Sequence, residues 1–214
     1  MTPDLVIFDC DGVLVDSEPA TDVVISDFLN QYGLTVTPAQ VHALFVGGTM
    51  ASVGEEAMRR GAVLPDGWLD TLYARVFDRL AQGVPVIDGV DELIDLIDAQ
   101  SIAKAIASNG PVRKMEISLT PSGLFKRFAP HIYSGHEHGP KPAPDMVLQI
   151  MSDLGADPAR TVMIDDSPTG CRAAQAAGIR CFGLATDGNF GRFDGTGAEP
   201  VNSLQGVRDA LGLR

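Results

Sequence analysis

Positive charge is scarce in this chain: 16 lysines and arginines face 28 aspartates and glutamates, a net charge of −12. Such a surface repels phosphate backbones and anionic bilayers, which argues against nucleic-acid and membrane partners. An anionic substrate would need local cationic help, from a metal, a lysine or backbone amides. Cysteine is scarcer still. Cys10, Cys171 and Cys181 are odd in number and widely spaced, which gives no disulfide framework. Cys10 adjoins an acidic pair and could be a nucleophile, but alternation along an extended chain turns it away from Asp9 and Asp11, so it reads as a small core filler. No apolar run reaches membrane-span length. The amino terminus lacks the basic, apolar and small-residue succession of a signal peptide. Repeats and long low-complexity runs are missing as well. The expectation is a soluble, cytoplasmic chain, a monomer or weak homo-oligomer.

What is present is enough for a sizeable core: 214 residues with 45% hydrophobic content. The decisive stretch runs from Leu5 to Glu18. Leu5 to Phe8 is a continuous apolar run, the pattern of a strand buried on both faces. It ends in Asp9 and Asp11, followed by Gly12. Residues two apart in an extended chain point the same way, so the two carboxylates could face one small volume. Carboxylates that close repel unless a cation or a shared proton relieves them, and Mg²⁺ is the simplest relief. An ordinary Asp-Gly turn would give the same letters.

Further along, residues 17–82 are mostly helical in pattern, with almost no strand signal. Helices are expected from about Val23 to Tyr32, from Thr37-Pro38 to Leu44, onward to Gly61, and from Pro65 to Leu80. The remainder alternates. Strands are expected at Ala103 to Ala107, Ile132-Tyr133, Thr161 to Ile164 and Arg180 to Leu184, with one more near the end. Helices are expected at Asp91 to Ala99, Val112 to Leu119, Asp145 to Leu154, Pro168 to Ala177 and a last one to Leu211. This alternation predicts an α/β fold, a doubly wound parallel sheet. Residues 1–16 and 83–214 form the expected core, with 17–82 an inserted helical cap domain. Each core strand ends in a polar cluster, and those ends gather on one sheet edge.

Four such clusters occur in order: Asp9-x-Asp11-Gly12-Val13-Leu14-Val15-Asp16-Ser17, then Ser108-Asn109-Gly110, then Lys141-Pro142-Ala143-Pro144-Asp145, then Asp165-Asp166-Ser167. Read singly, Ser108 to Pro111 is also a turn and helix cap, Lys141 a surface lysine, and Asp165 to Pro168 a capping stretch. Together they resemble the haloacid-dehalogenase superfamily of phosphohydrolases, in the helical-cap, β-phosphoglucomutase-like branch, over nearly the whole chain. Ser108 to Pro111 with Lys114-Met115, and Asp165 to Ser167, are similar to the 6-phosphogluconate phosphatase subgroup.

The resemblance implies a Mg²⁺-dependent phosphatase acting on a small phosphorylated metabolite, a sugar phosphate or sugar-acid phosphate. Asp9 would be the nucleophile and form an aspartyl-phosphate. Asp11 would protonate the leaving alcohol and then activate water. Ser108, Asn109 and Gly110 would hold a phosphate oxygen, and Lys141 would neutralise phosphate and nucleophile. The metal set would be Asp9, Asp11 through its backbone carbonyl, Asp165 and Asp166. In the cap, Glu18 and the loop holding Gly48 and Thr49 would reach the leaving group. Equally, Glu18 reads as a solvated helix-start carboxylate and the glycines as a simple joint.

Two other functions compete. Phosphoglucomutases of this branch carry a histidine and a basic residue where Thr21 and Met50 stand here. A catalytically silent phosphometabolite-binding module is the other, against which the intact Asp9, Asp11, Ser108, Lys141 and Asp166 argue. His136 and His138 have metal-like spacing, yet no third soft ligand lies near, so they read as loop residues.

Overall fold

The computed structural model describes residues 2–45 and 50–214. The chain divides into two compact units, Met1–Val15 with Val86–Arg214, and Asp16–Pro85. In chain order, β1 (Leu5–Phe8) opens the first unit. The second holds α1 (Glu18–Gln31), α2 (Pro38–Phe45), α3 (Met50–Arg59) and α4 (Trp68–Leu80). The first unit resumes with α5 (Val90–Ala99), β2 (Ala103–Ser108), α6 (Val112–Leu119), α7 (Leu124–Phe128), β3 (Ile132–Ser134), α8 (Gly135–His138) and α9 (Asp145–Leu154). It closes with β4 (Thr161–Asp165), α10 (Pro168–Ala176), β5 (Arg180–Leu184), β6 (Glu199–Val201) and α11 (Leu204–Leu211).

The six strands form one parallel sheet in the order β3-β2-β1-β4-β5-β6. The doubly wound sheet read from the alternating pattern is therefore present. Its central strands, β1 and β4, are buried along their whole length, which is why they read as unbroken apolar runs. The chain leaves β1 on one side through β2 and β3, then crosses back to β4. The reversal falls between β1 and β4, and in open parallel sheets such a switch point is where ligands bind, beyond the strands' carboxyl ends.

Amphipathic helices cover the sheet. In α5, Val90, Leu93, Ile94 and Ile97 are buried; in α9, Met146, Val147, Ile150 and Met151 are. Phe8 meets Phe128 edge to face at 5.4 Å between ring centres. On return to this unit, Val15 pairs with Val86 antiparallel, and Ile87 N–H donates to the Leu14 carbonyl.

The helical unit packs around Phe28, Leu29, Leu72, Val76 and Leu80. Thr37 caps α2 as its sequence implies: its hydroxyl accepts from Gln40 N–H, and Gln40 accepts from Thr37 N–H in return. Helix α4 begins at Trp68 rather than Pro65, because Gly67 takes φ +70°, a left-handed conformation outside a helix. Trp68 lies over Gly54, where any Cβ would collide with the indole. Among the described residues no helix is long and apolar enough to cross a membrane.

Candidate active site

Asp9 follows β1 directly, its N–H held by the Ile164 carbonyl of β4 at 2.9 Å. Asp165 is the last residue of β4 and Asp166 the next. Because β1 and β4 are neighbours in register, Phe8 opposite Ile164, these carboxylates arrive at the same height. One oxygen each from Asp9, Asp165 and Asp166 lies within 4.8 Å of the others.

Lys141 lies between two of them. Its Nζ donates to Asp9 Oδ1 at 2.6 Å, Asp165 Oδ2 at 2.7 Å and the Ala107 carbonyl at 2.9 Å. All three N–H directions are used, and the ammonium is buried. Its two carboxylate partners hold its pKa well above the ordinary lysine value, against the pull of burial. Asp9 is raised as well, which for a carboxyl favours the neutral form. Burial chiefly pushes its carboxyl up to about 7, Lys141 opposes this, and Asp165 and Asp11 add to the rise. Lys141 is thus a buried structural cation rather than a surface lysine.

Asp165 is fully enclosed. Its Oδ1 accepts from Ser167 N–H and Ser167 Oγ–H at 2.9 and 2.6 Å. Ser167 also caps α10, accepting from Gly170 N–H at 3.1 Å, with Pro168 at the first helical position. The capping reading of this stretch and the acidic-cluster reading hold together. Two glycines make room: a Cβ at Gly170 would fall on the Asp165 carboxylate, and one at Gly12, φ +79°, on that of Asp166.

Ser108 ends β2, paired with Ser134 of β3. Its hydroxyl accepts from Gly110 N–H at 3.1 Å, and Ser134 Oγ–H donates to the Gly110 carbonyl at 2.8 Å, so the loop is braced from inside. Ser108 does not cap α6; Pro111 stands at that N-cap. Asn109 spends its side chain on Lys141, whose N–H it accepts at 2.7 Å and whose carbonyl it bonds at 3.0 Å.

Asp11 lies on the loop after β1. It is absent from the converging carboxylate set found among the described residues, and its Oδ2 accepts from Lys114 Nζ at 2.7 Å. Lys114 is the residue whose role sequence reasoning missed. The signal was its place in the first turn of α6, six residues after Ser108, at the same sheet edge.

Other expected residues fall elsewhere. Glu18 opens α1 in the helical unit and is exposed. Gly48 and Thr49 lie outside the described residues. His136 and His138 sit on the one-turn helix α8, not in a loop, because Ser134 Oγ accepts His136 N–H and caps it. Cys10 is buried, and burial drives its thiol well above the ordinary range, which suits core filler and not a nucleophile.

The donor set fits a hard divalent cation: oxygen ligands only, with four carboxylates facing two ammonium groups and leaving two negative charges over. Glycines at 12 and 170 keep the space beside those oxygens clear of side chains.

Residues 6–184 match the haloacid dehalogenase-like hydrolase family model. The chain belongs to that family. Its relatives include the 6-phosphogluconate phosphatase of Escherichia coli, 27% identical over 188 residues, covering 85% of this chain and 82% of that one. Among solved structures, a haloacid dehalogenase-like protein of unknown function from Agrobacterium tumefaciens superposes with a TM-score of 0.82 at 32% identity, covering 98% of this chain and 97% of that one. A family hydrolase from Deinococcus radiodurans with bound phosphate and sodium gives 0.80 at 32% identity, covering 98% and 96%.

Proposed function

We propose that this protein is a Mg²⁺-dependent phosphomonoesterase that hydrolyses a small phosphorylated sugar or sugar acid through an aspartyl-phosphate. The observation carrying this reading is Lys141 bridging Asp9 and Asp165 at 2.6 and 2.7 Å, with Asp166 beside them at the carboxyl ends of the central strands. A known phosphatase for 6-phosphogluconate among the relatives, and a structural neighbour that holds phosphate, support the substrate class.

Asp9, Asp166 and the Asp11 carbonyl would hold the cation, with Asp165 held by Ser167 and Lys141 behind them. When bound, the cation offsets charge on the transferring phosphoryl group and favours ionised Asp9. An Asp9 oxygen attacks phosphorus, and the bond from phosphorus to the ester oxygen breaks. The leaving oxygen takes its proton from Asp11. Water then attacks the aspartyl-phosphate and passes a proton to Asp11. The bond between phosphorus and Asp9 breaks, which releases inorganic phosphate. Ser108 donates to a phosphoryl oxygen, and Lys141 balances the charge on Asp9 and the phosphoryl group throughout. In this reading residues 17–82 are the cap domain, the unit that selects the substrate.

The test is phosphate release from a panel of phosphorylated metabolites, with and without Mg²⁺. The panel holds 6-phosphogluconate, hexose phosphates, phosphoglycolate and nucleotides. Turnover is expected on a sugar-type substrate and loss of it in Asp9→Asn; a variant as fast as the parent rules out Asp9 as the nucleophile.

A further inference from the structure

Each of the two carboxylates read as reacting groups has its own lysine. Lys141 holds Asp9 and has no donor left over. Lys114 reaches Asp11, and both side chains are 23% exposed, against 4% for Lys141 and 11% for Asp9. The Lys114 stem runs over the phosphate-side loop: a Cβ at Gly110 would stand 3.4 Å from its Cδ and 3.5 Å from Ser108 Oγ. The ammonium is thereby fixed between that loop and Asp11.

Four carboxylates share this sheet edge, yet only Asp9, Asp165 and Asp166 bring oxygens together among the described residues. Asp11 is two residues from Asp9 and could swing a carboxylate oxygen toward the same cation. A carboxylate serving as a metal ligand cannot also carry a proton to the leaving group. An ion pair 2.7 Å long with Lys114 draws Asp11 away from that fate.

We propose that Lys114 is a positioning residue: it holds the Asp11 side chain out of the cation's ligand set and turned toward the leaving-group oxygen. This rests on the reading of Asp11 as acid and base. Lys114 transfers no proton and forms no bond to phosphorus.

The experiment compares the full-length parent, Lys114→Met, Lys114→Arg and Asp11→Asn, each checked for an unchanged melting temperature. Two substrates are used: p-nitrophenyl phosphate, whose leaving group departs without protonation, and an alkyl phosphate, 6-phosphogluconate. For Lys114→Met, kcat on the alkyl substrate is expected to fall about 10- to 100-fold. The first-turnover burst of p-nitrophenol keeps a rate within about 3-fold of the parent, because that step needs no acid. Lys114→Arg, which can keep the ion pair, recovers most of the alkyl rate. Equal loss in the burst and in alkyl turnover, or no loss in either while Asp11→Asn is inactive, overturns the role of Lys114 alone. Full activity in Asp11→Asn overturns the reading of Asp11, and this inference with it.

Discussion

The Asn109 side chain and the Lys141 peptide form a reciprocal pair, N–H to amide oxygen at 2.7 Å and amide nitrogen to carbonyl at 3.0 Å. One residue beyond β2 thus imitates a strand partner and clamps the segment that delivers the buried ammonium. Gly135 makes the close approach feasible, since a Cβ there would stand 3.0 Å from Asn109 Oδ1 and 2.9 Å from Pro140 Cα.

Asn109→Ala removes both bonds and leaves the Lys141 peptide to find water. It is expected to destabilise the fold by about 1–2 kcal/mol and to lower kcat more than it raises KM. Urea unfolding and steady-state kinetics on one preparation check this. A variant with parental kcat would show that the clamp is not needed to place Lys141.

Lys141→Met is the harsher change, because it strands two buried carboxylates. A cost of about 3–5 kcal/mol is expected, with activity lost. Mg²⁺ should recover part of that stability, since it supplies charge near the same oxygens. Melting curves with and without the ion read this; a Lys141→Met protein as stable as the parent contradicts the pairing.

Cation binding should depend on pH. Asp9 holds its proton up to about 7 in the cation-free protein, and the ionised form is the ligand. Affinity for Mg²⁺ therefore rises as pH rises toward about 7 and levels off above it. Stability without the ion runs the opposite way. The folded state binds the Asp9 proton more tightly than the unfolded chain, so this group's contribution falls between the ordinary carboxylate range and about 7. Calorimetric titration at pH 5.5, about 7 and 8.5 measures the first trend. An affinity unchanged across that range would place the Asp9 titration elsewhere.

Glycine substitutions separate space from helix preference. Gly170→Ala forces Asp165 out of its seat and is expected to abolish activity and weaken Mg²⁺ binding. Gly206→Ala in α11 is its control. There the nearest atoms lie 3.7 Å away and the backbone is ordinary helix, so a gain of about 0.5–1 kcal/mol is expected with activity unchanged. Parental activity in Gly170→Ala would mean Asp165 can shift without consequence.

The central strands were legible because burial on both faces leaves an unbroken apolar run, and because a polar cluster closes each one. Asp9, Asp165 and Asp166 were readable for the same reason: parallel strands in register bring their ends to one edge, whereas Lys141, on the turn before α9, was reached only through the family resemblance. The pairing of Lys114 with Asp11 was not, since 103 positions separate them and only the placement of α6 joins them. The bonds from the Asn109 side chain to the Lys141 peptide were not legible either, because the letters do not reveal which way an amide turns. Helix α8 went unseen because four residues carry no periodicity, and its cap, Ser134, belongs to the preceding strand.

β1, which ends just before Asp9, is one of the two innermost strands of the sheet, and the Asp9 amide is itself bonded to β4. Fraying at the sheet edges therefore leaves Asp9 in its place. Heat inactivation and collapse of the tertiary structure should run as a single event, and the Asp9 amide proton should exchange with deuterium among the slowest in the molecule.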